Sequence, residues 1–230
     1  MTTRRVFLLS PARCDGERAK LLIDPEARSP LAARLREPQG VPLGEVFSFL
    51  SSLYFRGKLT YARVFANPPC GARPALVITA DRGLMSPDDH VRRDDLVAFA
   101  HVDIAGGDER YLAPLRRDVA ALARAVGKSA LVVLLGSVAT GKYIDTLLDT
   151  FGDRLVFPPA FVGRGDMSRG GLLLRHARDG RELDYVPVAG AVLRGQRPPK
   201  LEPLDRRGRG ARGGGRGQEL ESDDRPQGDL

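Results

Sequence analysis

The sequence predicts an α/β protein: a single three-layer domain whose mostly parallel sheet has about four or five strands, followed by a disordered C-terminal tail. Three observations support this prediction. Short apolar runs end abruptly in turn residues, as buried parallel strands do. Stripes with helical spacing separate these runs, and such alternation is typical of βαβ units. Beyond residue 195 the apolar residues give way to arginine, glycine and proline.

Four short apolar runs carry the strand prediction. The first three are almost entirely apolar, which is expected where helices cover both faces of a sheet. The runs are residues 6–10, 76–80, 130–135 and 155–157. Two later stretches, residues 185–188 and 191–193, are separated by a short turn and are interpreted as an edge hairpin.

Three amphipathic stripes predict the helices between the strands. The first spans residues 43–54 and continues over residues 59–65 after an expected break at Gly57. The second stripe, residues 111–126, is the most regular, and the third spans residues 144–151. Apolar residues recur at i, i+3, i+4 and i+7, so one face of each helix should be buried.

Composition separates the domain from the tail. Residues 1–195 form the predicted α/β domain, whereas residues 196–230 contain almost nothing that can be buried and should not offset their chain entropy. Residues 206–216 resemble RGG-type segments, which bind RNA or single-stranded DNA. They lack the interleaved aromatic residues of such segments, so a solvating low-complexity terminus is the alternative.

The cellular location is predicted from what the chain contains. Cys14 and Cys70 make neither a disulfide framework nor a zinc site, which favours a reducing compartment. Pro11 ends the first apolar run too early for a signal peptide, and no run approaches the roughly 20 residues of a membrane span. We therefore predict a cytoplasmic protein without a membrane partner. No metal site is predicted, because the three histidines have no ligand-like spacing: His90, His101 and His176.

The charge points to an anionic partner. The net charge is +7, and residues 1–195 carry 28 basic and 22 acidic side chains. This excess is spread along the chain. A GC-rich genome would also produce the preference for arginine over lysine, which is 31 against 5. The charge by itself therefore does not specify a partner such as nucleic acid or a nucleotide, and the sequence leaves the cofactor and the oligomeric state open.

Topology suggests where a site should lie. In an open parallel sheet, ligands bind in the crevice beyond the carboxyl ends of the strands. Four loops meet this condition, and the alternative is that they are ordinary polar turns. Their candidate binding residues are Ser10, Arg13 and Cys14, then Asp81 and Arg82, then Gly136, Ser137 and Lys142, and finally Arg164 and Asp166.

Residues 136–142 match the first seven positions of a phosphate-binding P-loop and lie between a predicted strand and a predicted helix. The eighth position should be a serine or threonine that holds Mg²⁺, but it is Tyr143. A phenol cannot replace the short hydroxyl. The alternative is a glycine-started turn whose helix is capped by Ser137 or Thr140.

Two further features are open to two interpretations each. The glycine-rich residues 163–171 could present a helix N-terminus and Arg164 to an anion, or could form a mobile loop in which Asp166 is a helix N-cap. Cys14 follows Arg13, which could lower the pKa of the thiol and make it a nucleophile. An inert thiol is the alternative.

Four stretches together resemble a bacterial family of small α/β proteins that is loosely similar to the peroxide-stress protein YaaA and to uracil-DNA-glycosylase-like domains. Residues 7–14 are similar to the family's first strand and Ser-Cys-Ser-Lys-type loop, and residues 53–58 and 78–85 to its Leu-Tyr helix and second loop. Residues 135–143 are similar to a strand, glycine and tyrosine-containing helix start. The resemblance implies that the P-loop match is coincidental and that the substrate is a nucleic acid or a nucleobase.

Three functions are therefore predicted. The first is an α/β domain that binds nucleic acid, a nucleotide or a nucleobase in the crevice, with arginines on phosphate and Asp81 and Asp166 orienting a base or a water. The second is a nucleotide phosphotransferase or NTPase that uses residues 136–142. The third is a non-enzymatic interaction module that acts through the basic tail.

Overall fold

The computed structural model describes residues 3–138 and 141–191, together with residues 195, 196, 198, 199 and 201. Within this part, the helices are α1 Glu17–Ile23, α2 Pro30–Arg36, α3 Leu43–Phe65, α4 Arg93–Ala100, α5 Glu109–Val126, α6 Gly141–Phe151 and α7 Asp166–Asp179. The strands are β1 Arg5–Leu9, β2 Val41–Pro42, β3 Ala75–Ile78, β4 Leu84–Met85, β5 His90–Val91, β6 Leu131–Leu135, β7 Leu155–Phe157 and β8 Val186–Pro187.

The α/β class is confirmed, but the prediction of a mostly parallel sheet with four or five strands is wrong. The main sheet is mixed and has six strands in the order β4-β3-β1-β6-β7-β8. β1 pairs in parallel with β3 and β6, and β6 pairs in parallel with β7. The outer strands β4 and β8 are antiparallel. These two strands have two residues each, which is too short to leave a hydropathy pattern.

The predicted edge hairpin forms only in part. β8 is indeed an edge strand, but its partner is β7, whose Phe157 lies opposite Val186. Residues 192 and 193 of the proposed second strand lie outside the described residues, as do residues 202–230 of the predicted tail. A separate two-stranded sheet pairs β2 with β5.

Helices cover both faces of the main sheet. Successive residues of β1 point to opposite faces, so they pack against different helices. Phe7 and Leu9 belong to one buried cluster, which they share with residues of α1 to α4 and α7. Val6 and Leu8 belong to the other, with residues of α5 and α6. Alternation of side chains along a strand explains this division. β1 is therefore at the centre of three layers.

α3 and α7 pack closely against each other at Gly57 and Gly170, next to Lys58. A Cβ on Gly57 would lie 2.7 Å from the carbonyl oxygen of Gly170, and one on Gly170 would lie 2.6 Å from that of Leu53. The predicted break at Gly57 is wrong, because this glycine is helical and serves the helix contact. The helix bends at Ser52 instead, which has a φ of 48°.

The glycine-rich stretch from residue 163 is largely helical. α7 begins at Asp166, and its N-cap is Gly165, which makes no side-chain capping bond. The expected N-cap role of Asp166 is therefore wrong, since this residue is already the first of the helix. Among the described helices, none combines the length and the apolar character needed to cross a bilayer.

Candidate functional site

Ser10 and Lys58 form a buried polar contact at the carboxyl end of the central strand. Ser10 directly follows β1, and its backbone N–H donates to the carbonyl oxygen of Leu135 at the end of β6. Lys58 reaches it from α3, where its side chain is only 1% exposed. The Nζ of Lys58 lies 2.7 Å from the Ser10 carbonyl oxygen and 2.9 Å from Ser10 Oγ. These two acceptors hold the amine in one orientation.

The surroundings of Lys58 disfavour its charged form. Burial lowers its pKa to about 7, while the carboxylate of Asp166 opposes this shift and the positive charge of Arg169 adds to it. The Nζ also lies 4.5 Å and 4.9 Å from the ring centroids of Tyr54 and Phe55, contacts that favour an ammonium but are weak beside full desolvation. No carboxylate of the described residues lies within ion-pair distance of it. At neutral pH the amine is therefore partly unprotonated.

Tyr143 and Gly136 complete the surroundings of the Ser10 hydroxyl. Tyr143, at the start of α6, donates its hydroxyl proton to the carbonyl oxygen of Ser137 over 2.9 Å and lies beside Ser10. Burial raises the pKa of Tyr143 to about 12, so the phenol stays protonated at neutral pH. A Cβ on Gly136 would lie 2.7 Å from Ser10 Cβ and from the Tyr143 hydroxyl oxygen. A larger residue at position 136 would collide with Ser10 and Tyr143 unless one of them moved.

Ser10, Lys58, Gly136 and Tyr143 form one buried cluster. Two charged residues of α7, Asp166 and Arg169, lie near it. Arg169 donates to the carbonyl oxygen of Phe161 over 3.1 Å and lies 3.7 Å from a carboxylate oxygen of Asp166. The positive charge of Arg169 lies close enough to Tyr54 to favour the ionised phenolate. The Tyr54 hydroxyl nevertheless has no hydrogen-bond partner among the described residues. Burial dominates and raises the pKa of Tyr54. The cluster therefore contains one weakly basic amine among neutral hydroxyls.

A cavity of about 520 Å³ opens beside this cluster, beyond the ends of β1 and β3. Its walls come from the loop after β1, from Ala80 and from the segment after α4. Three of its residues are aromatic, and three are charged: Phe47, Phe99 and His101, then Arg13, Asp15 and Asp103. Pro11, the residue after Ser10, also lines it. The topology rule for open α/β sheets places a ligand at this edge.

The cavity residues present hydrogen-bond acceptors more than donors. Arg13 donates twice to Asp15, over 3.0 Å and 2.9 Å, so its charge is offset within the wall. The Nδ1 of His101 lies 2.6 Å from the carbonyl oxygen of Val97. Because a carbonyl only accepts, Nδ1 carries a proton in this contact, and Nε2 is an acceptor whenever the ring carries a single proton. Asp103 contributes a further carboxylate.

Asp81 follows Ala80, which lines this cavity, and itself lines a second cavity of about 730 Å³ together with His101. Its Oδ1 is buried without a hydrogen-bond partner, and the nearest guanidinium nitrogen, Nε of Arg82, is 3.8 Å away. Burial raises the pKa of Asp81, and the neighbouring charge of Asp95 adds to this effect, while Arg82 opposes it. The carboxylate is 22% exposed, so only this one oxygen is buried, and a carboxyl group with a perturbed pKa in a cleft is a candidate functional group.

The arginines predicted to bind phosphate each have an internal partner. Arg82 bonds to Asp95, and its guanidinium lies 5.8 Å from the ring centroid of Phe99. Arg164 donates to the carbonyl oxygen of Ala160 over 3.0 Å and to the Ser168 hydroxyl over 3.2 Å. Arg13 is paired with Asp15, as described above. These contacts occupy some of the five N–H groups of each guanidinium, and the carboxylates of Asp15 and Asp95 offset the charges of Arg13 and Arg82.

Of the two interpretations of Cys14, the environment favours the inert thiol. Burial raises the pKa of its thiol to about 12, and the charges of Asp15 and Asp81 add to the effect. Arg13 does not counter this, because its side chain is 82% exposed and turned to Asp15. The alternative of an inert thiol agrees with this environment.

The structure brings some of the predicted residues together and leaves others apart. Ser10, Gly136 and Ser137 meet because β1 and β6 are neighbours, and Cys14 lies near Asp81 because β1 and β3 are neighbours. The P-loop prediction stays a prediction, since residues 139 and 140 and the side chain of Lys142 lie outside the described part. In that part no group of three potential metal ligands occurs.

The sequence reasoning missed Lys58, although its position carried a signal. Leu50, Tyr54 and Lys58 follow one another at intervals of four, so the lysine lies on the buried face of the first predicted helix. A charged residue within an apolar stripe is rarely buried without a specific partner.

Comparison with known proteins gives no further guidance: no protein family profile, no curated protein and no solved structure matches this chain. The resemblance drawn from short sequence stretches therefore stays a prediction.

Proposed function

We propose that the cavity beyond β1 and β3 binds a planar, uncharged heterocycle that carries amino groups, such as an amino-substituted nucleobase or its nucleoside. The observation that carries this proposal is the composition of the cavity wall, in which aromatic rings lie next to the carboxylates of Asp15 and Asp103. Carboxylates and the Nε2 of His101 accept hydrogen bonds from ring and exocyclic N–H groups. Aromatic side chains provide the apolar surface that a planar ring requires.

Size and charge narrow the ligand class. A volume of about 520 Å³ falls within the roughly 300–1,000 Å³ typical of small-molecule sites. The guanidinium of Arg13 and the carboxylate of Asp15 are paired with each other, so a phosphate group would meet the remaining carboxylate of Asp103. We therefore favour the base or nucleoside over the nucleotide and over a nucleic-acid backbone.

A thermal-shift titration of the full chain tests this proposal. Adenosine, guanosine and cytidine are compared with uridine, which lacks the exocyclic amine, at several salt concentrations. Saturation at 100 times Kd should stabilise the fold by roughly 2.7 kcal/mol, a rise in Tm of a few degrees. We expect Tm to rise with at least one amino-nucleoside and to change little with uridine. The Kd should be the same in low and high salt, because no phosphate is bound.

Variants locate the binding. Asp103→Asn should weaken it about tenfold, while Asp153→Asn, an exposed residue at the opposite edge of the sheet, should leave it unchanged. A shift with Mg²⁺–ATP but with no nucleoside would favour the phosphotransferase alternative. An oligonucleotide shift that vanishes in high salt would favour binding by the tail. Either result, without a nucleoside effect, would refute the proposal.

A further inference from the structure

We infer that Ser10 is a nucleophile and Lys58 its general base, which together form a dyad for acyl transfer from a carboxylic ester. The inference goes beyond the proposed ligand site and does not depend on it. It rests first on geometry: Lys58 Nζ lies 2.9 Å from Ser10 Oγ, within reach of the proton that the hydroxyl must lose. The 2.7 Å contact with the Ser10 carbonyl oxygen fixes one N–H of the amine.

The geometry also places the lone pair of a neutral Lys58. A carbonyl oxygen can only accept, so one N–H of the amine points to it. The second polar neighbour is Ser10 Oγ, which can donate its proton to the amine when the amine is neutral. A neutral lysine next to a serine hydroxyl is one of the known variants of the nucleophile–base pair.

Full burial favours that neutral form. Lys58 is 1% exposed, and burial lowers its pKa to about 7. The charged groups that face it from α7 act in opposite directions, Asp166 raising and Arg169 lowering its pKa. Tyr54 and Tyr143 have raised pKa values and stay neutral. Among the described groups around Ser10 Oγ, the Lys58 amine is therefore the one that can take a proton near pH 7.

A reactant would reach the hydroxyl from the side of Pro11. Ser10 is 8% exposed, and its contact with Gly136 is close, since a Cβ on Gly136 would lie 2.7 Å from Ser10 Cβ and 3.1 Å from Ser10 Oγ. The next residue, Pro11, lines the cavity at the ends of β1 and β3. A small acyl group could therefore approach along this side.

The reaction divides into two balanced steps. Ser10 Oγ attacks the ester carbonyl carbon while its proton passes to Lys58 Nζ, and the carbonyl π electrons move to oxygen. The tetrahedral intermediate collapses, the C–O bond to the alcohol breaks, and the alcohol leaves with the proton from Lys58. In the second step Lys58 deprotonates a water that attacks the acyl carbon. The bond to Ser10 Oγ then breaks, Lys58 returns the proton to the serine, and the carboxylic acid is released.

A fluorophosphonate probe on the full chain tests the dyad, because an activated serine displaces its fluoride and forms a stable phosphonyl ester. We expect one label per chain by intact mass, mapped to Ser10 by peptide sequencing. The labelling rate should rise with pH with a midpoint near 7, as Lys58 loses its proton. Ser10→Ala should abolish the label, and Lys58→Met should slow it at least a hundredfold. Ser48→Ala, at a hydroxyl bonded to Gly44 within α3, should leave it unchanged.

Three results would overturn the inference. The first is the absence of label on Ser10 in the folded protein at any pH up to 9. The second is equal labelling of the wild type and of a Lys58→Met variant whose circular dichroism shows that it folds. If that variant does not fold, the pH profile of the wild type decides: a rate that does not change between pH 5.5 and 8.5 removes Lys58 as the base.

Discussion

Replacing Lys58 with methionine should change how the stability of the fold depends on pH. The folded pKa of Lys58 is lowered to about 7, while an exposed lysine of the unfolded chain has a value of 10.5. Between these values the unfolded chain binds one more proton than the folded protein, so stability rises with pH. The cost of burying the amine is complete below pH 7 and disappears toward pH 10.5.

The size of this effect follows from the interval between the two pKa values. Each pH unit within it changes the free energy of unfolding by about 1.4 kcal/mol, which amounts to about 3 kcal/mol between pH 7 and pH 9.5. The difference in free energy between the wild type and Lys58→Met should therefore grow by that amount in favour of the wild type. The slope does not depend on what the lost contacts with Ser10 cost, because that cost is the same at each pH.

Urea unfolding followed by circular dichroism at half-unit steps of pH measures the difference. Lys128→Met changes an exposed lysine and is the matched control, for which we expect the same difference at every pH. If the difference for Lys58→Met stays constant within about 0.5 kcal/mol over this range, the reasoning is refuted. The amine would then remain protonated inside the fold, and the general-base role would fail with it.

Two further predictions concern the helix contact and the cysteines. Gly170→Ala should destabilise the fold by about 1–3 kcal/mol, because its Cβ would lie 2.6 Å from the Leu53 carbonyl oxygen. Gly171→Ala is the control: its Cβ would meet only a side chain at 3.5 Å, so the substitution should be neutral or slightly stabilising. Urea midpoints compare the two, and equal effects would contradict the close contact. Iodoacetamide at pH 8 should modify exposed Cys70 while Cys14, whose pKa burial raises to about 12, stays unmodified in the folded protein. Mass spectrometry that finds both modified at similar rates would show that Cys14 is open to solvent.

The central strands and the long helices could be predicted because hydropathy alone specifies them. β7 occupies the predicted residues 155–157, and α5 covers the whole second stripe and ends before Gly127, which has a φ of 67°. β4 and β8 could not be predicted in this way. They are edge strands of two residues, defined by pairing with a neighbour rather than by a pattern of their own.

The location of the candidate site could be predicted from the sequence, but the pairing of Ser10 with Lys58 could not. Parallel pairing of β1 and β6 accounts for the meeting of Ser10 with Gly136, as the topology rule anticipates. Lys58 comes from the middle of α3, and no rule about loops leads to it. Its approach depends on the close packing of Gly57 against Gly170, two residues 113 positions apart in the sequence. Contacts of that separation are a property of the folded chain rather than of any local pattern.

The pairing of arginines at the crevice has a consequence for how the molecule meets other charged molecules. A lone cation acts on its surroundings as a monopole, whereas Arg13 with Asp15, or Arg82 with Asp95, forms a dipole whose potential falls off more steeply with distance. At physiological ionic strength such a field is largely screened beyond about 8 Å. These pairs therefore give little long-range steering toward a polyanion, and a ligand of this crevice must be selected by short-range contact once it has arrived.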